Sequence, residues 1–223
     1  MLSVKTIIVA PHPDDEVLGV GGTLLRRKAE GAKVAWLIVT NISVETGWSK
    51  EKVRQRSDEI NRVKELFRFD EVFILNFPTT RLDSVPMSDL VTAVSDVFKT
   101  FQPTEVFVPH PSDIHTDHRI VFDAVASCTK WFRYPSIKRI LAYETLSETD
   151  FSLGGGEGFR PNVFINISPF ISDKVKAMSI YSSEVGAFPF PRSNNAIQSL
   201  ASLRGAASGC DAAEAFMLLK EII

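Results

Sequence analysis

The sequence predicts an α/β fold, an open and mostly parallel sheet with helices on both faces. Three observations predict it. Short apolar runs rich in Val, Ile and Phe alternate with segments of helical period, as crossover units joining parallel strands do. The apolar runs are nearly continuous rather than alternating, which strands covered on both faces require. The 223 residues, 44% hydrophobic and 23% charged, suit one domain over residues 1–223 with a sizeable core. No repeat, low-complexity tract or linker divides them.

The elements follow in order. "TIIVA" (Thr6–Ala10) is the first strand, and "EVLGVGGTLLRRKAEG" after it is a helix closing on Gly31 at the C′ position. "KVAWLIVTN" (Lys33–Asn41) is the second strand. The helix "SKEKVRQRSDEINRVKELF" carries Val53, Ile60, Val63 and Phe67 on one face. "EVFILNF" (Glu71–Phe77) and "EVFVPH" (Glu105–His110) are strands flanking "SDLVTAVSDVFKTF", a helix with Ser88 expected as its N-cap. "IKRILAYET" (Ile137–Thr145) and "PNVFINIS" (Pro161–Ser168) read as two more strands, with a mobile Gly-rich loop at Ser152–Gly158 between them. From Pro169 to Ile223, ending in "AAEAFMLLKEII", the pattern reads as helices broken by "AFPFPRSNN".

Composition narrows the function. A net charge of -2, with no basic stripe carrying aromatics, argues against nucleic acid as a partner. No apolar run approaches the length of a bilayer span. Cys128 and Cys210 form neither a CxxC pair nor a disulfide framework, and no signal peptide is evident; a reducing cytoplasm is expected. The expected partner is a small molecule, and both a monomer and a homo-oligomer are compatible with the sequence.

All four histidines, His12, His110, His115 and His118, fall at or just past the carboxyl end of an expected strand. In open α/β sheets, ligands bind at that edge, where the strand order reverses. In "PHPDDE", His12 and Asp15 can turn toward one point while Asp14 projects elsewhere. In "HTDH", His115 and His118 lie one helical turn apart. One imidazole from each segment plus one carboxylate makes a three-ligand metal site with an open position, as catalytic zinc keeps. Zinc lowers the pKa of a bound water toward roughly 7. A carboxylate outside the ligand set can then act as base, and a second histidine can stabilise the developing oxyanion. Asp14 and His115 stand for those two tasks.

These motifs resemble the PIG-L / LmbE-like zinc-dependent N-acetylglucosaminyl deacetylases. "PHPDDE" followed by "LGVGGTL" is similar to the family's first motif and "HPSDIHTDHR" to its second; "FPTTRLD", "FRPNVFINIS", "YSSEVGAFPFPRS" and "RGAASGCDAAEAF" extend the likeness over most of the chain. The resemblance implies a Rossmann-like three-layer α/β/α fold (LmbE-like). It implies His12, Asp15 and His118 as zinc ligands, Asp14 as general base and His115 as oxyanion stabiliser. The implied reaction is hydrolysis of an N-acetyl group from an amino sugar, in a cell-surface polysaccharide or secondary-metabolite pathway. Arg56, in an Arg–x–x–Glu pair with Glu59 that otherwise reads as a solvated salt bridge, is expected to contact sugar hydroxyls. Arg81 and Arg192, in Pro-rich loops, read either as exposed surface or as binders of an anionic aglycone such as a phosphate. One position departs from the pattern: Phe190 stands in "PFPRS" where a histidine is expected.

Other residues have blander expectations. Asp117 orients a histidine or caps its helix. Glu16 belongs to the acidic first turn that the helix dipole favours. His110 reads as structural or part of the site wall, with a catalytic role as the alternative. Gly19, Gly21 and Gly22 lie inside a helix rather than in the strand-to-helix turn, so close packing explains them better than a dinucleotide does. Two other functions fit parts of the pattern. Iron(II) suits the same donors, so a non-haem oxygenase with two histidines and one carboxylate is one. A non-catalytic sugar-binding protein is the other.

Overall fold

A computed structural model describes residues 4–153 and 158–223. Its strands are β1 (Lys5–Ala10), β2 (Lys33–Asn41), β3 (Glu71–Pro78), β4 (Glu105–Pro109), β5 (Arg139–Tyr143), β6 (Val163–Asn166) and β7 (Ala213–Glu221). They form one sheet in the order β3-β2-β1-β4-β5-β7-β6. The first five run parallel, and β7 runs antiparallel to both β5 and β6. The helices are α1 (Asp15–Ala29), α2 (Lys50–Phe67), α3 (Met87–Phe101), α4 (Thr116–Ser127), α5 (Ile171–Met178) and α6 (Asn194–Ala206).

The continuous apolar runs are explained by two cores. Ile8, Ala10, Trp36 and Ile38 pack with residues of α1, α2, α5 and α6 on one face. Their strand neighbours Ile7, Val9, Leu37 and Val39 pack with α3 and α4 on the other. Successive side chains point to opposite faces, and both faces are covered, so no position in the strand calls for a polar residue.

Three local expectations meet the structure differently. Gly31 closes α1 with φ +80°, a conformation in which a Cβ is disfavoured. A methyl on Gly22 would sit 2.6 Å from Ile167, and one on Gly19 would strike the Tyr143 ring, so these glycines let α1 lie close to the sheet. Ser88 is not the N-cap of α3. That helix begins at Met87 after Pro86, whose carbonyl accepts the Asp89 N–H at 2.9 Å, and the Ser88 hydroxyl donates to Asp89 instead.

The largest correction is at the C-terminus, where "AEAFMLLKE" is strand β7 and not a helix. Ala, Glu, Met, Leu and Lys are all good helix formers. Here pairing on both sides, with β5 and with β6, decides the conformation over local propensity. The expected loop at Ser152–Gly158 falls largely outside the described residues.

The strand order reverses beside β1. The chain leaves β1 to form β2 and β3 on one flank, then returns to place β4 and β5 on the other. The crevice outside the carboxyl ends of β1 and β4 is the switch point where such sheets bind ligands. His12 follows β1, and His110, His115 and His118 follow β4.

Candidate active site

Asp14 occupies the junction between β1 and α1 with φ +144°, a strained backbone for any residue with a side chain. Its carbonyl accepts the N–H groups of Val17 and Leu18 and so starts the helix. The bend aims consecutive side chains apart. Asp15 turns inward, where its Oδ2 accepts the His12 N–H at 2.9 Å, while Asp14 faces a cavity of about 230 Å³. His12, Asp14, Asp15, His115 and His118 all line that cavity.

The imidazoles are held from behind. Asp117 is buried, and burial alone would raise its pKa. Hydrogen bonds from His12 and from the backbone of Thr80 and Leu82 outweigh burial and hold it below the ordinary carboxylate range. As an ionised acceptor it takes the His12 Nε2–H at 3.0 Å, which leaves His12 Nδ1 facing Asp15 Oδ2 at 3.4 Å. Asp113, fully buried, does the same for the second ring. Its Oδ2 accepts the His118 Nδ1–H at 2.8 Å, while His118 Nε2 faces Asp15 Oδ2 at 3.3 Å. The Thr149 hydroxyl donates to the other Asp113 oxygen at 2.6 Å. Carboxylates that orient histidines in this way fix the tautomer and raise the basicity of metal-binding rings.

Among the described residues, two groups of donors have ligand atoms within 4.8 Å of one another: His12, Asp15 and His118, and His12, His115 and Asp117. The second is already spent. Asp117 accepts the Thr80 N–H at 2.7 Å and the Leu82 N–H at 3.2 Å besides His12. The first group offers two ring nitrogens and a carboxylate oxygen converging on one point, a donor set that suits zinc and other divalent first-row metals.

The electrostatics of the protein without metal follow from this crowding. Burial would lower both rings, but Asp117 and Asp15 raise His12 to about 9, and Asp15 and Asp113 raise His118 to about 10. Burial would raise Asp15, yet His118 and His12 hold it far below the usual range. Asp14 is lifted to about 8 by burial, then by Asp15 and Glu184. His115 is lowered to about 4 by burial and by the neighbouring His12 and His118. It is therefore neutral. Its Nδ1 accepts the Asp117 N–H at 3.1 Å, which leaves the proton on Nε2, a donor with no partner among the described residues.

Arg56 and Arg192 both stand on the cavity wall, joined through Glu184. Arg56 donates to Glu184 at 2.5 Å and to the Pro13 carbonyl at 2.7 Å, next to Asp14. Its pairing with Glu59 at 3.4 Å is largely buried rather than a solvated surface pair. Arg192 donates to the Glu184 carbonyl and to the Ser147 hydroxyl, each at 2.8 Å, and its guanidinium lies 5.1 Å from the Phe190 ring centre. His110 is buried against Phe159, ring centres 5.4 Å apart, and its Nδ1 accepts the Ser112 N–H.

Two residues escaped the sequence reading. Asp113 carries the same task as Asp117, but a lone Asp in a loop has no periodicity to mark it. Its place two residues before His115 was the available signal. Glu184, which gathers both arginines, sits in an irregular segment more than a hundred residues from Arg56 and has no local signature.

Among proteins of known sequence, the chain is 27% identical to the "Uncharacterized deacetylase YaiS" of Escherichia coli, over 79% of this chain and 90% of that protein. It is 24% identical to the diacetylchitobiose deacetylase of Thermococcus kodakarensis, over 81% of this chain and 70% of that protein. Among solved structures, the conserved protein TT1542 from Thermus thermophilus superposes with a TM-score of 0.79 at 27% identity, covering 99% of this chain and 96% of that one. The family described as PIG-L, GlcNAc-PI de-N-acetylase, matches residues 7–129, a stretch that holds both histidine motifs and more than half the chain. On that match, the chain belongs to the PIG-L family of de-N-acetylases.

Proposed function

We propose that the protein is a zinc-dependent hydrolase that removes the acetyl group from an N-acetylated amino sugar. One observation carries the reading. Two rings from the ends of two different strands, each braced by its own buried carboxylate, converge with Asp15 on one point beside an open cavity. The diacetylchitobiose deacetylase of T. kodakarensis, a relative named for an N-acetylated sugar, supports the substrate class.

His12 through Nδ1, Asp15 through Oδ2 and His118 through Nε2 would hold the metal. When bound there, a divalent cation supplies Lewis acidity, polarising the acetamide carbonyl and lowering the pKa of water. Asp14, whose carboxyl a bound cation's charge would bring down from about 8 into its ionised form, takes the proton from the attacking water; its burial and its place on the cavity wall keep it beside the metal donors. His115, neutral and with no partner for its Nε2–H among the described residues, donates a hydrogen bond to the oxygen that becomes anionic. Arg56 holds the Pro13 carbonyl and thereby the segment bearing Asp14. The amine departs with a proton, and acetate is left. The two free cysteines, Cys128 and Cys210, suit a reducing compartment such as the cytoplasm. No helix among the described residues is long and apolar enough to cross a membrane.

The test is acetate release without oxygen from N-acetylglucosamine and N,N′-diacetylchitobiose, before and after chelation and zinc return. Anaerobic, chelator-sensitive release is expected. Activity that needs oxygen and 2-oxoglutarate would instead support the iron oxygenase.

A further inference from the structure

Trp48 is 39% exposed and yet lines the cavity, beside Ile42. The wall also carries Ser147, Glu148, Glu184 and Arg192, all hydrogen-bonding groups. The loop that delivers the indole is built rather than loose. Ser43 and Thr46 close a turn on each other, with the Ser43 N–H donating to Thr46 Oγ1 at 3.1 Å and the Thr46 N–H to the Ser43 carbonyl at 3.3 Å. The Trp48 N–H then donates to the same Ser43 carbonyl at 3.2 Å. Gly47 turns the chain with φ +96°, a conformation that a side chain resists. On the other side, Ser49 caps α2 by accepting the Lys52 N–H at 3.2 Å. The backbone that carries Trp48 is thus fixed between a closed turn and a capped helix, and the partly exposed indole lines a cavity that also carries polar groups.

Covering that surface with an apolar face of a ligand is favourable. The cavity calls for a ligand with one flat apolar face and several hydroxyl edges, and a pyranose ring has that character. Its C–H groups can lie on an aromatic face while its hydroxyls reach the polar groups. We propose that Trp48 is the platform on which a pyranose ring of the substrate stacks, and that it makes the site select saccharide amides over acyclic ones. This inference rests on the deacetylase reading and names a binding residue for it.

The test compares zinc-loaded wild type with Trp48→Ala and Trp48→Phe, using N,N′-diacetylchitobiose and the acyclic amide N-acetylethanolamine as probes. Trp48→Ala is expected to raise KM for the disaccharide about tenfold, with a smaller change in kcat. The kcat/KM ratio of disaccharide to acyclic amide should fall by a similar factor, and Trp48→Phe should recover most of it. An unchanged ratio overturns the proposal. Binding is read separately from turnover by tryptophan fluorescence during titration with the disaccharide. The signal is expected in wild type and in Trp131→Phe, and absent in Trp48→Phe. If no acetate is released but that pattern holds, the deacetylase reading fails and the platform stands. If the Trp48→Phe titration retains the signal, the platform is wrong whatever the turnover.

Discussion

Glu16 Oε2 accepts the backbone N–H of Asp14 at 3.0 Å, while Glu16 Oε1 accepts the Tyr181 hydroxyl at 2.6 Å. The third acid of "PHPDDE" is therefore more than a favourable charge at a helix start. It is a fully buried clamp on a residue with φ +144°, a conformation that costs of order 1–3 kcal/mol. Glu16→Ala is expected to leave metal content near one per chain and lower kcat about tenfold or more, because the proposed base, Asp14, loses its fixed direction. It also leaves the Tyr181 hydroxyl without this partner, at a cost of about 1–3 kcal/mol in unfolding free energy. Steady-state kinetics alongside denaturant unfolding separate the two effects. Wild-type kcat in a destabilised variant would make Glu16 a purely structural residue.

Asp14→Ala removes the proposed base without touching a proposed ligand. Acetate release is expected to fall by about 10²–10⁴-fold, with zinc still bound. Elemental analysis and an acetate assay on the same preparation decide it. Loss of the metal together with the activity would move Asp14 into the ligand set.

Asp113 tests the brace behind His118. With Asp113→Ala, the ring is no longer tied through Nδ1, and zinc affinity should drop about 10–100-fold. Competition against a chromophoric chelator measures this. Asp113→Asn, which can still accept a hydrogen bond, should lose less, and equal affinity in all three proteins would remove Asp113 from the site.

The metal-free protein should show an unusual pH response. His12 and His118 are raised from 6.5 to about 9 and about 10, and Asp14 from 3.8 to about 8. Each binds its proton more tightly folded than unfolded. For the histidines, the stability gained is complete below pH 6.5 and is lost as pH rises through 9 and 10; Asp14 adds a loss of the same sign that ends near 8. Asp15, shifted the other way, contributes its stability above the ordinary carboxylate range and adds no slope in this window. The Tm of chelated protein should therefore fall from pH 6.5 to 10. Zinc should flatten the fall, and calorimetry in buffers of different ionisation enthalpy should detect proton release on binding. A Tm that rises over this range in the chelated protein would contradict the packing of these rings against their carboxylates.

What the sequence revealed and what it hid follow from where the physics acts. β2 is legible at Lys33–Asn41 to the residue, because seven consecutive buried positions between two helical layers leave a continuous apolar run. The pairing of His12 with His118 is legible because each follows a strand that ends at the switch point. β7 is not, since "AEAFMLLKE" prefers a helix in isolation and is a strand only between β5 and β6. Glu184 acts through a contact with Arg56 distant along the chain, and nothing in its immediate neighbours announces it, whereas Asp113 braces His118 only five residues away and has its place beside His115 as the one available signal.

The central claim is that His12, Asp15 and His118 together hold one divalent metal. Zinc stoichiometry in purified single variants tests it most directly. The account predicts about one zinc per chain in wild type and in His115→Ala, and little or none in His12→Ala, Asp15→Ala and His118→Ala. Retention of zinc by Asp15→Ala and His118→Ala, with loss in His115→Ala and Asp117→Ala, would place the metal on the other cluster of donors and contradict the account.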